Sequence, residues 1–260
     1  MVDFIGNDAP DATIGGYGDQ YGAGSNDFLQ GDATGGNLYG GAGRDILTGG
    51  TLVSGGINGA GTAEDPYVLT GFNASPDNVL EGGTETDILY GADGNDTIYG
   101  GDGDDSGVAL SYLAGLYWKA GLFGGDGDDS LYGGKGDDLL EGGLGRDHLY
   151  GGQDADTFAF KDKLETSNKK SLADVIHDFE RKLDKVDLSG IDADENTAGD
   201  QEFDYIKKKK FSSEAGELRY KKGYLMGDTD GDGHKDFVVK VHTDTINHGD
   251  YKLGNADFIL

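Results

Sequence analysis

Between Gly124 and Ala159 one nine-residue pattern recurs without a break, as GGDGDDSLY, GGKGDDLLE, GGLGRDHLY and GGQDADTFA. Four consecutive copies of GGxGxDxUx, with U a large apolar residue, are no accident in a chain where Gly is 49 of 260 residues. Gly at the first, second and fourth places permits positive φ and close approach of carbonyls, and Asp at the sixth adds a carboxylate. Each turn is therefore a cage of hard oxygens suited to Ca²⁺. The apolar eighth residue, between small or polar neighbours, makes a short strand with a single inward side chain. One such strand buries almost nothing alone, so the units must stack, and nonapeptides of this kind stack as a right-handed parallel β-roll.

The same pattern runs upstream. After a degenerate turn containing Asp11, copies begin at Gly22, Gly31 and Gly40, which places Asp27 and Asp45 18 residues apart, with Gly36 where the middle copy should carry Asp. The phase breaks over 49–72, a segment read as a surface loop with Glu64, Asp65 and Tyr67 as its candidate ligand contacts. Repeats resume at Asn73, where Asn78 is 18 residues from Asp96 and Asp87 is 18 from Asp105. A second interruption over 107–123 holds Trp118, and Leu110, Leu113, Tyr117 and Ala120 recur at helical spacing, so a short helix capping or bridging two blocks of roll is predicted there, with a partner-binding or membrane-surface helix as the alternative.

These repeats resemble the RTX (repeats-in-toxin) family. The resemblance implies that two nonapeptides complete one coil, with each Ca²⁺ between turns two repeats apart. Asp129 would then pair with Asp147 and Asp138 with Asp156, and Leu131, Leu140, Leu149 and Phe158 would form the interior stack.

Composition changes at about Phe160, and two domains are expected, 1–159 as the roll and 160–260 as a β-rich cap with one helix over 171–179. The segments DTFAF, LADVIHDFERKLDKVDLSGIDA, FSSEAGELRY, GDTDGDGHKDFVVKV and ADFIL resemble, in that order, the C-terminal region of serralysin-type secreted metalloproteases. The resemblance implies type I export, with the stretch from Asn255 to Leu260 read by the exporter. MVDFIGNDAP lacks the basic and apolar regions of a secretory signal, which agrees with a C-terminal address and an extracellular destination.

The net charge of −28 is uneven: residues 1–160 carry 27 acidic against 4 basic side chains, and 161–260 carry 22 against 17. Such an acidic half repels itself and stays expanded without cations, so calcium is expected to act as a folding ligand. The charge disfavours nucleic acid and anionic lipid. No apolar run is long enough for a membrane span, and the absence of Cys excludes disulfides.

A further cation site is predicted at Asp228, Asp230, Asp232 and Asp236, where DxDxDGxxD resembles the start of an EF-hand loop, although Val239 stands where that loop has its bidentate Glu. Neither HExxH nor GxSxG occurs, so no catalytic activity is expected; His148 and His177 read as structural. Lys207 to Lys210 reads as a protected strand edge, or as a contact for anionic polysaccharide. The function that emerges is an extracellular RTX module whose folding is induced by Ca²⁺ after type I secretion. The alternatives are a calcium-dependent polysaccharide- or surface-binding module, and the C-terminal part of a larger secreted enzyme such as a metalloprotease or alginate epimerase.

Overall fold

A computed structural model describes residues 4–5, 12–14, 20–24, 28–31, 37–42, 45–49, 57–58, 68–69, 78–84, 86–103, 105–106, 108–111, 116–243 and 253–260. The chain alternates between two long sheets, so each strand pairs in parallel with the strand two repeats away. One sheet carries Gln20–Gly24, Leu38–Ala42, Val79–Thr84, Thr97–Asp102, Ser130–Lys135 and His148–Gln153 in that order. The other carries Phe28–Gln30, Ile46–Thr48, Ile88–Asp93, Gly121–Asp126, Leu139–Leu144 and Thr157–Ala159. This is a parallel β-roll with two nonapeptides per coil.

The register shows why the eighth place must be apolar. Leu38, Leu80, Ile98, Leu131 and Leu149 align rung by rung on one sheet. Leu29, Leu47, Leu89, Leu122, Leu140 and Phe158 align on the other. All are fully buried. Each repeat strand shows one side chain to the interior, so the inside of the roll is two facing columns, while Ile46, Ile88, Tyr90, Phe123 and Leu139 form a second buried cluster.

The hydrogen-bonded sheets run on past residue 160. Val175–Phe179 pairs in parallel with His148–Gln153, and Lys185–Asp187 with Thr157–Ala159. One hydrophobic core extends from Leu29 to Phe258. Phe237–Thr243 then joins Val175–Phe179 in parallel and leads into an antiparallel set with Tyr224–Asp228 and Glu217–Lys221, which Asp204–Lys207 closes. The final strand, Phe258–Ile259, adds the last rung of the second sheet beside Lys185–Asp187.

Both predicted helices are replaced by strands. Over 171–179 the backbone extends at Val175 because Asp147 O accepts the Val175 N–H, which enrols β-branched Val175 and Ile176 in the ladder, with Ile176 fully buried. In the second interruption Val108–Ser111 and Leu116–Lys119 form an antiparallel pair, and Gly121, Leu122 and Phe123 already belong to the next coil. Helical spacing over so short a segment loses to sheet pairing. In 49–72 the described residues include an antiparallel pair, Ile57–Asn58 with Val68–Leu69, while Glu64, Asp65 and Tyr67 lie outside the described residues, as does Asp11.

Candidate calcium ladders

The sixth-place residues stack into two buried columns at the turns of the roll. In one, Asp96 Oδ1 accepts the N–H of Asn78 at 2.7 Å, Asp129 Oδ1 that of Asp96 at 2.6 Å, and Asp147 Oδ1 that of Asp129 at 2.9 Å. In the other, Asp87 accepts from Asp45 at 2.7 Å, Asp105 from Asp87 at 2.8 Å, Asp138 from Asp105 at 2.9 Å and Asp156 from Asp138 at 3.1 Å. The partners inferred by resemblance, Asp129 with Asp147 and Asp138 with Asp156, are in direct contact. Asp27 and Gly36 lie outside the described residues.

The two interruptions leave this order intact. Asp96 and Asp129 are 33 residues apart in the chain, and Asp45 and Asp87 are 42 apart, yet each pair makes the same bond as pairs 18 apart.

Two ladder members escaped the sequence reading. Asp174 Oδ1 accepts the Asp147 N–H at 2.9 Å, and Asp184 Oδ1 accepts the Asp156 N–H at 3.1 Å. Neither follows a glycine turn, which is why the nonapeptide pattern missed them. What they share with the repeats is Asp two residues before an apolar side chain, in Asp174–Ile176 and Asp184–Val186.

Each sixth-place carboxylate from Asp87 to Asp156 spends one oxygen on the ladder, and the second turns into its own glycine turn. A Cβ on Gly124 would collide with Asp129 Oδ2 and with the carbonyl of Gly142, and one on Gly142 would collide with Asp147 Oδ2. Oδ2 of Asp129 and of Asp147 is buried with no hydrogen-bond partner. Burial, reinforced by neighbouring carboxylates, pushes Asp129 up to about 7, Asp156 to about 8 and Asp147 to about 9. Buried, unpartnered carboxylate oxygens beside crowded carbonyls fit a hard dication. The conformation persists where the pattern lapses: Ala92 takes φ 81° and Asp154 φ 77° in places other repeats give to Gly.

The loop at Asp228 is a different arrangement. Oxygens of Asp228, Asp230 and Asp236 lie within 4.8 Å of one another. Asp232 is not brought into this group; its Oδ1 accepts the His234 N–H at 2.7 Å. Asp228 holds the turn by accepting the N–H groups of Gly231 and Gly233, and Asp236 Oδ2 accepts the N–H and Oγ1–H of Thr229.

His148 and His177 sit on the outer face of the first sheet, with His148 Nδ1 2.8 Å from His177 Nε2. His177 belongs to a row of stacked rings that runs from Tyr99 through Tyr132 and Tyr150 to His242, and His148 stacks on it from the side. Burial first, then His148 and His242, lowers His177 to about 4. The C-terminal stretch is built into the fold rather than trailing from it. Asp257 is buried, its Oδ1 accepting the Lys182 N–H at 2.9 Å and its Oδ2 the Gly254 N–H at 2.7 Å.

With stacked strands and aspartate columns in place, comparison with known families is decisive. Residues 11–253 match the family described as "Peptidase M10 serralysin C terminal". The chain belongs to the serralysin C-terminal domain family. Among solved structures it is similar to "Solution Structure of AlgE6R3 subunit from the Azotobacter vinelandii Mannuronan C5-epimerase", at 24% identity and TM-score 0.33, covering 71% of this chain and 76% of that one. No curated protein matches the chain. Among the described residues no helix is long and apolar enough to cross a membrane.

Proposed function

We propose that this serralysin-type domain is an extracellular calcium-binding module that folds when it meets calcium outside the cell. The observation that carries the reading is the pair of aspartate columns, whose buried Asp129 and Asp147 each keep a carboxylate oxygen without a partner. Stacked carboxylates destabilise the fold when ionised, because each loses water and faces a like charge. Bound Ca²⁺ would supply the missing positive charge and complete the oxygen cage. The residues that would hold it are Asp45, Asn78, Asp87, Asp96, Asp105, Asp129, Asp138, Asp147 and Asp156, together with carbonyls of their glycine turns. Since the unfolded chain has no such cage, binding free energy becomes folding free energy.

Extracellular calcium modules have dissociation constants of about 10⁻⁴–10⁻³ M. A chain tuned to that range stays expanded where free calcium is scarce and folds where it is abundant, as passage through a type I exporter requires. Membership of the serralysin C-terminal family supports export through the C-terminal stretch. The Asp228 loop is read as a separate cation site of three carboxylates. No chemistry of bond breaking is assigned to the chain, which is read as a calcium-binding part rather than an enzyme.

A calcium titration followed by far-ultraviolet circular dichroism, with magnesium as control, tests the reading. The expected result is a cooperative gain of β signal near millimolar Ca²⁺ and none with Mg²⁺. A chain fully folded in chelator would overturn it.

A further inference from the structure

In a chain of net charge −28, folding gathers cations from four separate segments onto one face. Arg219 and Lys221 share a face of Glu217–Lys221 because side chains alternate along a strand. Lys221 pairs across to Tyr224, and Tyr224 to Lys240. Lys207 lies beside Arg219 in the neighbouring strand. From above, Lys170 sets its ammonium 3.9 Å from the centre of the Tyr224 ring, and Lys235 donates to the carbonyl of Asn168. Lys222 stands at the hairpin tip.

These charges have not been neutralised within the fold. Lys170, Arg219, Lys221 and Lys222 form no ion pair among the described residues. The Arg219 guanidinium lies 5.2 Å from the Phe211 ring, and its Nε is buried with no acceptor. Glu217, the acid on the same strand face, is already engaged by the Ser212 hydroxyl at 2.8 Å. Burial, then Lys235, Lys222, Arg219 and Lys221, lowers the pKa of Lys170. Holding like charges together in this way costs stability, and the chain has 49 acidic residues from which partners could have been drawn.

We propose that the outer face of this C-terminal antiparallel sheet binds a linear polysaccharide carrying uronic acid groups, with Arg219 and Lys170 at the centre of the surface. The cations run across the strands rather than converging on a point, and strands lie about 4.8 Å apart, close to the length of one sugar unit. A polymer with one charge per sugar or per two sugars suits that spacing. Duplex DNA, with one charge per about 1.7 Å, is repelled far more strongly by the acidic roll. The apolar side chains Met226, Val238 and Ala173 are buried, and Tyr224 and Phe211 lie partly covered against them and beneath Lys170 and Arg219, which favours a polar ligand over insertion into a membrane. An Arg fork matches a carboxylate in two parallel hydrogen bonds.

The test is isothermal titration of the full, calcium-saturated chain with chondroitin sulfate at about 0.1 M salt, an ionic strength that screens distant charges. Wild type should bind, and Lys170→Ala/Lys222→Ala should lose at least tenfold in affinity. Lys161→Ala/Lys182→Ala, which changes net charge equally outside the glycine turns, should lose less than twofold. Arg219→Lys keeps the charge but not the fork and should lose several-fold. The calcium midpoint by circular dichroism should be unchanged in all three, so a failure of calcium-dependent folding is read separately from a failure of polymer binding. No binding by wild type, equal loss in the two double variants, or preference for duplex DNA or anionic vesicles over the polysaccharide would overturn the proposal.

Discussion

At Gly127 the fold leaves no room for a side chain. The residue has φ +143°, and a Cβ there would run into the carbonyl oxygen of Gly94 in the preceding coil. Gly145 repeats the arrangement against Gly127 itself, so the fourth-place glycines pack as a column of backbone. Gly127→Ala should therefore raise the calcium concentration needed for folding by several-fold, because the substitution spreads two coils at a cage. Circular dichroism against free calcium checks this. Leu140 gives the contrasting case, fully buried in the interior column and remote in role from the turns. Leu140→Ala should cost about 2–5 kcal/mol, the range for emptying a well-packed leucine site. Urea unfolding at saturating calcium measures that loss, and the number of calcium ions bound, from equilibrium dialysis, should stay as in wild type.

The ladder is the element whose behaviour differs most from that of its residues taken singly. One exposed Asp titrates near 4; stacked and buried, Asp129, Asp156 and Asp147 move to about 7, 8 and 9. The folded form then holds protons that the unfolded form releases. By linkage this contribution to stability is fully present below about pH 4 and is lost as pH rises through roughly 7 to 9. In chelator the chain should hence gain β signal on acidification and lose it toward alkaline pH. With calcium bound the carboxylates must be ionised, so the sign reverses and acid unfolds the roll. Paired pH titrations by circular dichroism, with and without calcium, should cross. Curves that run parallel would show that the columns do not govern folding.

Across the whole molecule, roll and cap share one core, and the last strand is a structural rung. Phe258 is buried against Tyr205, their ring centres 4.8 Å apart, and Leu188 N–H donates to Ile259 O at 2.8 Å. Deleting 258–260 should leave Lys185–Asp187 as an open edge, lower the melting temperature of the calcium-loaded chain by several degrees, and speed amide exchange at Val186 and Leu188 more than in the roll. Unchanged exchange would mean that the terminus adds no stability. Much of this architecture could be read from the chain. The nonapeptide period pointed to a stacked parallel roll and to the sixth-place residues as candidate ligands, because each repeat is a local unit whose turn and inward residue are set within nine positions; two repeats per coil and the interior stack came from the RTX resemblance. Three features depended on the tertiary structure. Asp174 and Asp184 join the ladders without glycine turns, Val175–Phe179 becomes a strand by docking on His148–Gln153, and Lys170 reaches Tyr224, beside Arg219 and Lys221, only when the chain folds back on itself. Their partners lie from 27 to about 50 positions away, beyond any local period, so only the stacking of the chain on itself brings them together.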